Sequence, residues 1–203
     1  MALFEKSYQA VKEFEAVSQA AKAAFLKAQK EIFETYSSAV ADQKLAEARE
    51  LLTKTEWEAS QKALEIVQPE FAAVHEMIAE TVTRGIPEAF AETLAAVKSK
   101  GERISEYEAA AFLKKYRTNY MGFSSILEVL HSYGKAGNIH IRTPEMLNND
   151  VEVLEKRLVS WIRDRNGVGD SNYFARLIIH EKSPLVLLAD RVQGFLDGDF
   201  ILN

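Results

Sequence analysis

The first 84 residues contain no glycine, and one proline, Pro69, is all that interrupts them. Glycine and proline are the residues a helix interior resists most, and alanine is the one it favours. Of 27 alanines, 21 fall in residues 1–100. The front half of the chain is therefore expected to be long helix. The other eight glycines follow Gly85, and the helical patterns there are shorter.

Apolar spacing says which faces of the long helices are covered. Over residues 3–40, Phe4, Val11, Phe25 and Ile32 keep a seven-residue register, with Ser18 in the gap, and Phe14, Ala21 and Ala28 form a second seam. Over residues 42–84, Trp57, Leu64, Phe71 and Ile78 repeat the spacing, with Val67 and Val74 beside them. A period near 3.5 residues suits helices packed side by side with supercoiled geometry. Thr55 and Glu58 have capping-box spacing, which would open a new helix there. Pro69 would kink a helix or begin a fresh one. Thr83 to Pro87 reads as a stop and restart, and a third helix, about 87–100, ends at Gly101.

The rest of the chain offers clearer local signals. Ser105 and Glu108 form a capping box for a helix reaching about Tyr116. Gly122 breaks that helix, or residues 123–133 form a separate one, and residues 139–142 alternate as a short strand would. Thr143-Pro144 and Ser183-Pro184 open two further helices, the second with Leu185, Leu188, Val192 and Phe195 inward, and the turn at 166–170 leads into another carrying Phe174, Leu177 and Ile178. The expected fold is all-α: an elongated N-terminal helical hairpin or coiled-coil-like bundle (residues 1–100), then a compact helical domain (residues 101–203) with at most a short strand near 139–142.

The net charge of −5, close to balanced in both halves, lacks the basic excess of a chain built mainly to wrap nucleic acid. There is no cysteine, which removes disulfides, thiolate zinc sites and cysteine nucleophiles. No basic and apolar leader opens the sequence, and no apolar run is long enough to span a bilayer. A soluble, cytoplasmic protein, free or incorporated in a larger particle, is the expectation.

Catalytic patterns are sparse. Gly122-Phe123-Ser124-Ser125 lacks the second glycine of a nucleophile elbow. Gly167-Val168-Gly169-Asp170-Ser171 has neither the preceding strand nor the lysine of a phosphate loop, and capping explains it. His75 with Glu76 and Glu80 is read as a solvated helix face. Glu128 and His131 match the Glu-x-x-His spacing of di-iron bundles once, without the second pair such a site requires. No enzyme, cofactor or metal is expected.

Two binding surfaces follow from the residues. Phe4, Val11, Phe14, Phe25, Ile32, Trp57, Leu64 and Phe71 form a partner-helix interface, for a second copy or another protein. Long associating helices of this style occur in components of virus particles and secretion machines. The alternative is a nucleic-acid-binding or regulatory protein. Its polyanion contact would be Lys114, Lys115, Tyr116, Arg117, Tyr120, Lys135, His140 and Arg142, with Tyr133, Arg163 and Arg165 nearby. There, cations would position phosphates and rings would stack on bases.

Overall fold

The computed structural model describes residues 3–163 and 184–202. Within them lie seven α-helices: α1 (Glu5–Thr35), α2 (Ser38–Thr83), α3 (Phe90–Lys100), α4 (Glu106–Lys115), α5 (Tyr120–Ser132), α6 (Pro144–Arg163) and α7 (Pro184–Leu196). No sheet is present among the described residues. An isolated antiparallel bridge joins Ile141 to Ile201, so the expected strand shrinks to one pair of residues, flanked by Arg142 N–H to the Phe200 carbonyl (2.7 Å) and Leu202 N–H to the His140 carbonyl (2.8 Å).

The chain groups into two compact units. One is built from residues within Met1–Ala72 and Glu152–Leu187, the other from Ala73–Val151 and Leu188–Asn203. Each draws on both compositional halves of the sequence. The calls for a helix with Phe174, Leu177 and Ile178, and for the turn at 166–170, lie outside the described residues.

In the first unit, α1 and the leading part of α2 form an antiparallel hairpin. Phe4 meets Phe71 with ring centroids 4.7 Å apart, and the Ser18 hydroxyl donates to Glu56 at 2.5 Å. A step forward along one helix is thus a step backward along the other. Phe14 packs edge-on against Trp161 of α6 at 5.5 Å. At 1.5 Å per residue, the 31 residues of α1 span about 46 Å.

The helix boundaries depart from the sequence expectation in three places. The turn of the hairpin lies at Tyr36 and Ser37: Tyr36 is extended, and the Ser37 carbonyl accepts from Val40 and Ala41 N–H. No helix opens at Thr55, whose hydroxyl instead donates to the Leu51 carbonyl one turn back. Pro69 sits inside α2, which continues through it. A proline there removes one ladder bond, and the burial of Val67, Phe71 and Val74 around it holds the helix together.

In the second unit, α5 packs on α3 and α4. Ser105 and Glu108 make the expected capping box, and the Asn119 side chain caps α5 by accepting from Gly122 N–H at 2.7 Å. Asn119 also donates to the Gly85 carbonyl at 3.1 Å, tying the end of α2 to the start of α5. Gly122 lies inside α5 rather than breaking a helix, and a Cβ there would stand 2.8 Å from the Tyr116 ring. Tyr120, Phe123, Phe195 and Phe200 form an aromatic core, with Phe195 and Phe200 5.1 Å apart.

Candidate partner-binding face

The seam residues named from heptad spacing divide into two groups. Phe4, Val11, Phe14, Ile32, Leu64 and Phe71 are buried within the chain. They form the interior of the first unit, because heptad spacing records that a face is covered and not whose atoms cover it. Phe25 is half-buried, and Trp57 is 62% exposed.

The open apolar surface lies beside that seam, at the turn end of the hairpin. Leu26, Phe33 and Leu51 are 62%, 58% and 66% exposed, and Tyr36 and Val40 at the turn are exposed too. Sequence reasoning passed over these five residues. The available signal was a second register one step along: Leu26 and Phe33 follow Phe25 and Ile32 directly, and Val40 and Leu51 lie eleven apart, three helical turns. Even the inner seam is thinly covered here. Phe25, Ala28, Leu45, Ala48 and Leu52 are half-buried, and full burial returns only at Ile32 and Ala41 near the turn. Two helices alone shield one side of each other, so a paired hairpin leaves the flanks of its seam wet.

Nearer the base of the hairpin the interior turns polar. Ser18 is fully buried and Glu56 nearly so. Their hydrogen bond is joined by Lys22, whose ammonium lies 3.5 Å from the same carboxylate oxygen. An open cleft of about 470 Å³ beside them is lined by Phe14, Glu50, Trp57, Ser60, Ile162 and Arg163. A smaller groove of about 320 Å³ runs between the two helices along Ala10, Val17, Ala63 and Ile66.

The basic and aromatic segment sits in the second unit, and its rings face inward. Tyr116 is buried, with its hydroxyl donating to Thr93 at 2.9 Å. Tyr120 is buried in the aromatic core, and burial followed by the nearby Glu145 charge raises its phenol pKa. Neither ring is free to stack on a base. Lys115 donates to the Thr93 hydroxyl at 3.0 Å, and Arg142 to the Arg191 carbonyl at 3.2 Å. Lys114, Arg117 and His140 are exposed, and Lys135 and Tyr133 are half-buried. Arg163 lines the cleft of the first unit, while Arg165 lies outside the described residues.

His75 pairs with Asn148 at 2.7 Å, and His131 Nε2 donates to the Ile139 carbonyl at 3.0 Å. His180 and the glycine turn at 167–171 lie outside the described residues. Among the described residues, no three His, Asp or Glu side chains stand where one metal ion could be held, and no helix is long and apolar enough to cross a membrane. Compared with protein-family models, curated proteins and solved structures, the chain matches none.

Proposed function

We propose that this chain is a non-enzymatic interaction protein, a subunit of a larger assembly that docks through the turn end of its α1–α2 hairpin. The observation that carries this reading is the exposure of Leu26, Phe33 and Leu51 on the two helices of the hairpin. Large apolar side chains scattered singly are ordinary on a surface. Here three of them, with Tyr36 and Val40, flank a seam that is itself half-covered. Several exposed apolar side chains on one short stretch of the hairpin support an interaction reading. Helical faces of this kind dock other helices, with anchors set at helical intervals.

The test is a triple variant, Leu26→Glu, Phe33→Glu and Leu51→Glu, compared with the wild type. All three positions face solvent, so helicity by circular dichroism should be unchanged. The wild type, purified from its native source, should hold a stoichiometric protein companion, either a copy of itself or another chain, and the variant should lose it. A wild type that is monomeric and without companions, or a folded variant that keeps the same companions, would overturn the reading.

A further inference from the structure

The charges of the hairpin end are segregated in a way that selects its occupant. Residues 22–30 carry Lys22, Lys27 and Lys30 and no acidic side chain. Residues 31–43, the turn and its flanks, carry Glu31, Glu34 and Asp42 and no basic one. Alongside the lysine stretch, residues 44–54 of α2 add Lys44, Arg49 and Lys54 against Glu47 and Glu50. The hairpin therefore ends in an acidic tip on a basic stem. Apolar side chains accompany both: Phe33, Tyr36 and Val40 at the tip, Leu26 and Leu51 on the stem.

We infer that the face is occupied by a second copy of this chain. Two hairpins overlap antiparallel about a two-fold axis, the acidic tip of each lying on the basic stem of the other. This rests on the proposed interaction reading and deepens it. A two-fold interface is self-complementary, so every contact occurs twice. Tip on stem satisfies that condition, whereas tip on tip would set acid against acid. The overlap turns two thinly covered helix pairs into a four-helix bundle, the arrangement that closes half-covered seams.

The charges inside one copy leave room for this exchange. Lys27 and Glu31, and Lys30 and Glu34, stand 3.9 Å apart along α1 on exposed side chains. Lysine precedes glutamate in both, the weaker order for pairs four residues apart. Such exposed pairs hold their partners loosely, so carboxylates from another copy can compete for the same lysines.

Charge exchange tests the arrangement. One variant is Lys27→Glu with Lys30→Glu, and the other is Glu31→Lys with Glu34→Lys. By sedimentation equilibrium at tens of micromolar and low salt, the wild type should be dimeric, with affinity falling about tenfold as salt rises and screening shortens. Each variant alone should be monomeric, since the first has a stem with no net charge left to attract a tip and the second sets a basic tip on a basic stem. Mixed one to one, the variants should form a heterodimer weaker than the wild-type pair, because the acidic tip of the first meets the unaltered basic stem of the second. Zero-length cross-linking of mixed isotope-labelled and unlabelled wild type should join Lys22, Lys27 or Lys30 of one copy to Glu31, Glu34 or Asp42 of the other. A monomeric wild type overturns self-pairing while leaving docking to a different protein to the companion experiment above. A wild-type dimer whose variants still dimerise alone, or whose mixture does not re-form the pair, overturns the tip-on-stem geometry.

Discussion

Phe4 is the residue where the hairpin carries strain. Its φ of 62° places it in the left-handed region, which costs a non-glycine residue about 1–2 kcal/mol. The conformation delivers its ring onto Phe71 in a fully buried position, and burying a phenylalanine gains about 1.5–3 kcal/mol. Phe4 has no polar side chain to cap α1, and the cap comes from the other helix. Glu70 of α2 accepts from Ser7 N–H at 2.6 Å and Lys6 N–H at 3.3 Å. The carboxylate does the work of an N-cap and also suits the positive pole of α1. Glu70→Ala should destabilise the protein by about 1 kcal/mol, read as a lower urea midpoint at unchanged slope. An unshifted midpoint would mean that the first turn of α1 is satisfied by water. Ser7 gives the opposite case. Its backbone N–H is bonded, but its hydroxyl is buried with no hydrogen-bond partner among the described residues, a burial that costs about 1–3 kcal/mol. Ser7→Ala should therefore raise the melting temperature, and a fall on that substitution would show that the hydroxyl has a partner.

Among the helices, α4 joins sequence signal to structure most directly. Its capping box is complete: Glu108 N–H donates to the Ser105 hydroxyl at 3.3 Å, and Ser105 N–H donates back to the Glu108 carboxylate at 3.1 Å. Lys100 also bonds that carboxylate. The Lys100 bond first, then those from Ser105, lower the Glu108 pKa from 4.5 to about 2. A lowered carboxyl pKa means the folded state prefers the ionised form, so its contribution is complete above about pH 4.5 and is lost as pH falls through about 2. A side-chain NMR titration should place the Glu108 midpoint near 2. Lys100→Met should move it up furthest and Ser105→Ala less far, and an ordinary midpoint in the wild type would contradict the geometry. Short-range signals of this kind were readable from sequence, as were Gly101 at the end of α3 and Thr143-Pro144 at the start of α6. Thr55 shows the limit, because capping-box spacing inside a strong helix is satisfied just as well by a bond back to Leu51. Pro69 shows it too, since buried neighbours outweigh one lost bond. The candidate face was half-visible for a related reason. Periodicity found the seam, but whether Phe14 is covered by Trp161 of the same chain or by another molecule depends on a contact across nearly 150 residues that no local pattern records. The same holds for Tyr116, whose pairing with Thr93 turns an aromatic on a basic stretch into core.

Across the chain, the division into two units falls inside helices rather than in linkers. The boundary after Ala72 lies within α2, and the one after Val151 lies within α6. Domains usually separate in exposed, flexible segments, and a boundary within a continuous helix couples the two units through the backbone. Extending an existing helix adds a hydrogen bond for each residue fixed, whereas starting one anew orders several residues for the first bond. Thermal unfolding is therefore expected to be a single cooperative transition with calorimetric and van't Hoff enthalpies in agreement. Ala73 is the position at which to test this coupling. It is exposed, so replacing it disturbs little packing, and proline there costs about 3 kcal/mol of helix continuity. If α2 alone is the coupling element, Ala73→Pro should split the transition into two and lower the van't Hoff enthalpy relative to the calorimetric one. Ala73→Gly, which weakens the helix by only about 1 kcal/mol, should keep one transition at a lower midpoint. If the proline variant instead melts in one sharp step with matched enthalpies, the coupling does not run through α2 alone.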